Sequence, residues 1–281
     1  MAPKRQKLVK AYNNKNFLHS ADGRTVRMLT EYLEPAQRFR REGVSDTIVF
    51  FGSSRARPPD VARQELARME QELAGVASPT SDQLSRLESA KATAHLSRYY
   101  EDAVTLARMI TEWDRKRPRN SRYFMVCSGG GPGIMEAANR GAYEAGGKSA
   151  GLCISLPHEQ QSNPYISPHL GFEFHYFFMR KYWFMYLAKA LVMFPGGFGT
   201  LDEMFEVLTL VQTQKVTKPL CLILYGGEYW KKVIDFDTMI KWGTIRAEDL
   251  KLFHMCDSPD DAFKILVSLL THHESNHSLP E

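Results

Sequence analysis

Short apolar runs alternate along this chain with longer stretches in which apolar residues recur at the spacing of a helix. This alternation is typical of a parallel sheet wrapped by helices. The best strand candidates are residues 47–52, 123–128, 150–156, 172–176, 190–194 and 220–225. Residues 99–113 carry a single apolar stripe and are predicted to form a helix that crosses back over the sheet. We therefore predict an α/β fold, a Rossmann-like, doubly wound parallel sheet in three α/β/α layers.

Three segments depart from this pattern. Residues 1–45 are polar and charge-rich, and are predicted to form a partly helical N-terminal extension on the outside of the core. Residues 58–97 interrupt the first strand–helix unit with two charge-rich helical stretches around Ser78-Pro79-Thr80, which predicts an inserted helical hairpin. Residues 271–281 are predicted to be a polar C-terminal tail. Residues 46–270 then form a single Rossmann-like domain.

Composition favours one globular body, because 43% of the 281 residues are hydrophobic and 24% are charged. The net charge of +4 is mild, and part of the basic excess lies within the first ten residues. That placement is typical of a solvated tail, so no nucleic-acid partner is expected.

No apolar run approaches the roughly 18 residues that a membrane span requires. The start of the chain also lacks the apolar stretch of a secretory signal. We therefore expect a soluble, cytoplasmic protein with no membrane partner. Cys127, Cys153 and Cys221 each fall in a strand-like segment, where buried, reduced thiols are expected.

Three predicted strands run directly into turns of small residues: Gly52-Ser53-Ser54-Arg55, Ser128-Gly129-Gly130-Gly131-Pro132-Gly133 and Pro195-Gly196-Gly197-Phe198-Gly199-Thr200. In a doubly wound sheet, the carboxyl ends of the strands share one edge, so these turns are expected to meet in one crevice. Glycine lets a ligand approach the backbone, and the first amides of the following helix attract an anion. The sequence therefore predicts a nucleotide-phosphate site that includes Ser53, Gly130, Gly131 and residues 196–200.

Each turn taken alone is equally well explained as a tight connection that happens to need glycine. None matches an established nucleotide signature, since no G-x-G-x-x-G follows the first strand. Gly146-Gly147-Lys148-Ser149 resembles the end of a P-loop but follows a predicted helix, so we interpret it as a helix C-cap.

Glu203 follows the Pro195 turn and has two interpretations. Thr200 and Glu203 have the spacing of a capping box, in which Glu203 would bond back to the Thr200 amide. Alternatively, Glu203 points into the crevice as a carboxylate beside the phosphate, where it could act as a general base or stabilise a cation. The local pattern does not separate the two.

Arg180 and Lys181 supply the complementary charge. Neighbours in a helix point to different faces, so the two cations cannot share one role. Both could be surface charges, but an arginine also forks well onto a phosphate or a carboxylate. The aromatic residues around them indicate either a dimer interface or an internal core helix.

These motifs resemble the LONELY GUY (LOG) family of nucleoside 5′-monophosphate phosphoribohydrolases, long mislabelled as lysine decarboxylases. The family's paired signature, Arg-Lys followed by PGGxGTxxE, stands here as Arg180-Lys181 and residues 195–203. The similarity extends through residues 128–136 and 156–160 and covers roughly residues 46–270.

The resemblance implies a Rossmann-like homodimer, without a redox cofactor or metal, that cleaves AMP or a cytokinin riboside monophosphate into free base and ribose 5-phosphate. It implies that Arg180 and Glu203 are the catalytic pair and that residues 197–200 hold the 5′-phosphate. Lys181, Glu159 and Thr209 would lie nearby in the nucleotide site.

Two alternatives remain at the level of sequence. A nucleotide-binding or carrier protein of the same fold would bind AMP without turnover, as expected if Glu203 only caps its helix. A lysine decarboxylase would need pyridoxal phosphate on a lysine, for which the sequence offers no convincing context. The N-terminal extension, the 58–97 insertion and Phe198 depart from the short plant-type pattern, which makes cytokinin specificity less secure than hydrolysis of a purine monophosphate.

Overall fold

The computed structural model describes residues 8–118, 123–156 and 161–275, with the backbone alone for residues 272–275. The strands are β1 (Asp46–Phe51), β2 (Phe124–Ser128), β3 (Ser149–Ile154), β4 (Gly171–Phe174), β5 (Ala188–Met193), β6 (Cys221–Tyr225) and β7 (His254–Cys256). Within the described residues they form one sheet in the order β4-β3-β2-β1-β5-β6-β7. Every neighbouring pair is parallel, so the predicted doubly wound α/β fold is confirmed.

The helices cover both faces of this sheet. They are α1 (Lys15–Leu18), α2 (Arg24–Arg41), α3 (Pro59–Leu73), α4 (Ser81–Arg115), α5 (Ile134–Glu144), α6 (Phe177–Leu187), α7 (Phe198–Gln212), α8 (Gly227–Val233), α9 (Phe236–Lys241) and α10 (Pro259–Ser275). One apolar core joins the sheet to α4, α5 and α10, and a second joins its other face to α2, α6, α7 and α8. Two apolar faces on one sheet require a helical layer on each side, which produces the three layers.

Each of the six strands predicted from apolar runs is present, with ends displaced by at most two residues. The seventh strand, β7, was not predicted. It has only three residues and pairs with β6 alone, at the edge of the sheet. So short a segment shows no alternating pattern that the sequence could reveal.

The region predicted as a helical hairpin contains α3 and the first part of α4. A capping box starts α4, in which the Gln83 amide donates to Thr80 Oγ1 and the Thr80 amide donates to Gln83 Oε1. The helix then continues without interruption through residue 97 to Arg115, because no glycine or proline occurs between Ser81 and Arg115. The inserted segment and the crossover helix are therefore one continuous element.

The N-terminal segment is fastened to α6 by α2. The Glu31 carboxylate accepts hydrogen bonds from the amides of His175 (2.8 Å) and Tyr176 (3.3 Å), immediately before α6. The Glu31 carbonyl accepts a third bond from the indole of Trp183 at 2.9 Å. Phe39 is buried against the ring of Trp183. The sequence indicated that this helix is either an internal core helix or a dimer interface. Its middle, at Trp183, belongs to the core.

No helix in the described ranges is both long enough and apolar enough to cross a bilayer. At the other end of the chain, α10 continues to Ser275, five residues into the segment predicted to be a polar tail.

Candidate active site

A cavity of about 760 Å³ opens at the carboxyl ends of β1 and β5. The strand order reverses between these two neighbours, with β2 to β4 on one side and β6 and β7 on the other. Open α/β sheets bind ligands at such a switch point. All three predicted turns contribute to the lining, through residues 52–55, 129–131 and 195–200. They therefore meet in one crevice, as the parallel-sheet argument requires.

Backbone hydrogen bonds hold the three turns together. The Ser53 amide donates to the Pro195 carbonyl at 2.9 Å, and the Ile134 amide donates to the Ser53 carbonyl at 3.1 Å. Gly133 has a φ of +73°, and a Cβ atom there would lie 2.3 Å from the Ser53 carbonyl oxygen. Only glycine tolerates both the conformation and the contact. The first turn is thus clamped between the other two.

The start of α7 decides between the two interpretations of Glu203. The helix begins at Phe198, and its N-cap is Gly197, which has no side chain to bond to the helix. Thr200 already lies in the first turn and Glu203 in the second, so the capping-box interpretation is wrong. The N-terminus of α7 faces the cavity through residues 197–200, and its backbone amides and dipole favour an anion there.

Glu203 lines the cavity although only 6% of its surface is exposed. Burial raises the pKa of its carboxyl from 4.5 to about 7, while the positive charges of Lys181 and Arg180 oppose that rise. A carboxylate that gains and loses its proton near neutral pH suits a general base.

Arg180 lines the cavity, and contacts with β3 and with its own helix hold its side chain in place. Its Nε donates to the Leu152 carbonyl at 2.7 Å, and its guanidinium carbon lies 5.1 Å from the ring centroid of Phe184. Burial lowers the pKa of Arg180, and the negative charge of Glu203 opposes this shift. An arginine stays protonated nevertheless, so the site contains a half-buried cation that interacts electrostatically with the buried Glu203 carboxylate.

Lys181 points away from Arg180, as their adjacency in a helix requires. Its Nζ lies 2.8 Å from Asp202 Oδ2 and 2.7 Å from Glu206 Oε2. These ion pairs raise the pKa of Lys181 against the opposing effect of burial. Lys181 does not line the cavity. It connects α6 to α7 and acts on Glu203 through its charge.

The structure gathers most of the predicted site residues in the cavity wall. They are Ser53, Gly130, Gly131, Arg180, Gly196, Gly197, Phe198, Gly199, Thr200 and Glu203. Thr209 is not among them: it is exposed and donates its hydroxyl to the Phe205 carbonyl at 2.7 Å. Glu159 lies outside the described residues.

Several lining residues were not predicted as site residues. Arg55 ends the first turn, Leu96 comes from α4, and Tyr229 on α8 donates its hydroxyl to the Gly196 carbonyl. Arg55 is part of the first small-residue turn and could have been included from the motif. Leu96 and Tyr229 lie in distant helices, where no sequence motif marks them as cavity residues. Cys153 also lines the cavity and is half-buried, so the prediction of full burial for this thiol is wrong.

The described residues hold no group of three His, Cys, Asp or Glu side chains that could bind a metal ion. No lysine occurs among the described residues that line the cavity. A pyridoxal Schiff base needs such an amine, so these residues do not fit that cofactor.

Fold and site together define a doubly wound α/β protein with a glycine-lined crevice at its switch point and a buried carboxylate beside an arginine. A family model described as "possible lysine decarboxylase" matches residues 135–266.

Two curated relatives share sequence with the chain. A cytokinin riboside 5′-monophosphate phosphoribohydrolase of Rhodococcoides fascians is 29% identical over 41% of this chain and 58% of its own length. A probable enzyme of the same name from rice is 26% identical over 48% of this chain and 58% of its own length. The chain thus spans little more than half the length of these relatives. The resemblance to the LONELY GUY family, predicted from the motifs, is confirmed.

Two solved structures also match. The X-ray structure of TM1055, a structural-genomics target, is 18% identical, with 79% of this chain and 99% of that chain covered and a TM-score of 0.47. The Moco carrier protein from Chlamydomonas reinhardtii is 19% identical, with coverage of 81% and 99% and a TM-score of 0.42.

Proposed function

We propose that this protein hydrolyses the N-glycosidic bond of nucleoside 5′-monophosphates and releases free base and ribose 5-phosphate. The observation that carries this proposal is Glu203, a carboxylate with a pKa near 7, buried in the same cavity as the N-terminus of α7. The names of the two curated relatives, both phosphoribohydrolases, support the same chemistry.

The proposed reaction uses both the Glu203 carboxylate and the N-terminus of α7. As the bond between C1′ and the base nitrogen breaks, its electron pair leaves with the base and positive charge develops on the ribose. The Glu203 carboxylate stabilises that charge and takes a proton from the water whose oxygen adds to C1′. The departing base gains one proton in return. Phosphate bound at the start of α7 fixes the far end of the sugar, so that C1′ is held beside Glu203.

Part of the cavity wall suits a purine. Ile154, Leu156 and Phe177 form an apolar part of the cavity wall, and Leu156 and Phe177 are still exposed there. We propose AMP as a substrate, with cytokinin riboside 5′-monophosphates as the bulkier candidates. The cavity wall also includes Leu96 from α4. We therefore expect the extended α4 helix to limit the size of the base that the site accepts.

The deciding experiment is incubation with nucleoside monophosphates of different bases, followed by chromatography for free base. We expect adenine from AMP, and a loss of at least about 100-fold in Glu203→Gln and in Arg180→Ala. Glu228→Gln is the matched control, since Glu228 is an exposed carboxylate on α8. Binding of AMP without release of adenine would contradict the proposal and favour a carrier. Turnover that persists in both site variants would refute the assigned residues.

We further propose that the protein works in the cytoplasm as a homodimer. The exposed rings of Phe178 and Tyr186, which flank the buried centre of α6, support a dimer interface on this helix. Sedimentation of the wild type and of Tyr186→Glu tests it, and a monomeric wild type at micromolar concentration would refute it.

A further inference from the structure

Four charged side chains line the cavity in the described part of the chain: Arg55, Arg180, Asp202 and Glu203. Three of them are already engaged. Arg180 is bonded to a carbonyl and interacts electrostatically with Glu203, while Asp202 is paired with Lys181. Arg55 forms no ion pair or side-chain hydrogen bond with any described residue. Among the described residues, the cavity therefore presents one guanidinium, that of Arg55, whose charge no neighbouring side chain offsets.

The backbone that carries Arg55 is firmly positioned. The Arg55 amide donates to Ser53 Oγ at 3.1 Å, which closes a small turn. Ser53 in turn is bonded to Pro195 of the third turn and to Ile134 at the start of α5. Arg55 therefore extends from a rigid turn between the two glycine-rich turns.

A phosphate monoester is the ligand that fits this placement. It carries close to two negative charges at neutral pH and offers three acceptor oxygens. The N-terminus of α7 supplies only about half a positive charge. A guanidinium adds a full charge and two parallel N–H donors, and it remains protonated at every working pH.

We propose that Arg55 binds the 5′-phosphate of the substrate together with the start of α7, and makes the site select nucleoside monophosphates over nucleosides. This inference rests on the proposed function, which it deepens by naming a specificity-determining residue. Arg55 is exposed at the cavity wall, so a phosphate bound at this point would bury its charge.

Calorimetry with ribose 5-phosphate and with ribose tests the assignment without relying on turnover. We expect Arg55→Ala to raise the Kd for ribose 5-phosphate by roughly 10- to 100-fold, the usual loss for a hydrogen bond to a charged group. Weak binding of ribose should not change. Arg55→Lys keeps the positive charge but lacks the two parallel N–H donors. Its Kd for ribose 5-phosphate should therefore lie between those of the wild type and Arg55→Ala. Arg57→Ala is the matched control, since Arg57 is an exposed arginine two residues away that does not line the cavity.

The kinetic arm compares AMP with adenosine. Arg55→Ala should reduce kcat/KM for AMP by the same factor and leave adenosine unaffected, so that discrimination between them shrinks. Equal affinity of wild type and both Arg55 variants for ribose 5-phosphate overturns the inference, as does a wild type that does not bind this sugar phosphate. If Arg55→Ala weakens binding but the wild type cleaves no nucleotide, the proposed function fails while the phosphate assignment stands.

Discussion

A Cβ atom added at Gly129 would lie 2.6 Å from Nη2 of Arg180 and 2.5 Å from Sδ of Met135. Non-bonded heavy atoms do not approach so closely, so either the loop or the two side chains would have to move. The glycine at the end of β2 thus leaves the space that the guanidinium on α6 occupies. Two motifs about 50 residues apart in the sequence form one side of the cavity.

Gly129→Ala should therefore reduce catalysis more than stability. A displacement of Arg180 by about 1 Å is expected to lower kcat/KM for AMP by roughly 10- to 100-fold. Release of adenine at several AMP concentrations gives this value, and urea unfolding gives the stability. Gly75→Ala is the control, because Gly75 has open space around it and lies between α3 and α4. Unchanged activity in Gly129→Ala would contradict the close packing.

Glu203→Gln should stabilise the protein at alkaline pH. The folded-state pKa of Glu203, about 7, lies above its ordinary value of 4.5, so the folded state binds this proton more tightly. Stability is therefore lost as the pH rises from about 4.5 through 7. Glutamine mimics the protonated acid, so the variant avoids this loss of stability. The pKa difference between the folded and unfolded states corresponds to up to about 3 kcal/mol in the free energy of unfolding. Urea unfolding at pH 4.5 and 8.5 should show a gain only at 8.5, whereas an equal effect at both would exclude an elevated pKa.

Lys181→Met should shift the pH profile of activity to higher pH. If Glu203 is the general base, kcat/KM for AMP in the wild type rises with pH and levels off above about 7. The charge of Lys181 lowers the pKa of Glu203, so its removal, which also leaves Asp202 and Glu206 uncompensated, raises that pKa. Lys215→Met, at an exposed lysine after α7, should keep the wild-type profile. A downward shift in Lys181→Met would refute this electrostatic role.

Tyr229→Phe should loosen the turn formed by residues 195–200. The Tyr229 hydroxyl donates to the Gly196 carbonyl, and the ring lines the cavity. Loss of one such bond costs about 1 kcal/mol, so KM for AMP is expected to rise about fivefold with a small change in kcat. Tyr143→Phe, on the exposed side of α5, is the control. An unchanged KM would show that the loop keeps its conformation without this bond.

Glu31→Ala should destabilise the fold through α6. Two backbone amides ahead of this helix would lose their acceptor, at a cost of about 1–3 kcal/mol. Urea unfolding followed by tryptophan fluorescence would report this, since Trp183 packs on the same helix pair. Glu70→Ala, at an exposed position on α3, should leave stability unchanged. Equal stability of the two variants would mean that α2 contributes little to the fold.

Much of the fold could be predicted because apolar periodicity follows directly from burial. The central strands β1, β2, β5 and β6 are almost completely buried on both faces and therefore appear in the sequence as continuous apolar runs, whereas β4 at the sheet edge alternates exposed and buried residues. The three small-residue turns follow from the same logic, because parallel strands end at a shared edge. By contrast, β7 has three residues, and the uninterrupted course of α4 through residue 97 had no local signal beyond the lack of a helix breaker.

By itself, the sequence determined the sheet, the edge at which the cavity opens and the two motifs that contribute charged groups to it. Only the tertiary structure decided where the Glu203 side chain lies. Thr200 and Glu203 have the spacing of a capping box, but the chain enters the helix three residues earlier than Thr200 implies, at Gly197. Glu203 is thereby moved into the second turn and buried against the cavity, where packing rather than spacing raises its pKa. A local pattern cannot encode that burial, because the groups that exclude water from Glu203 come from distant parts of the chain.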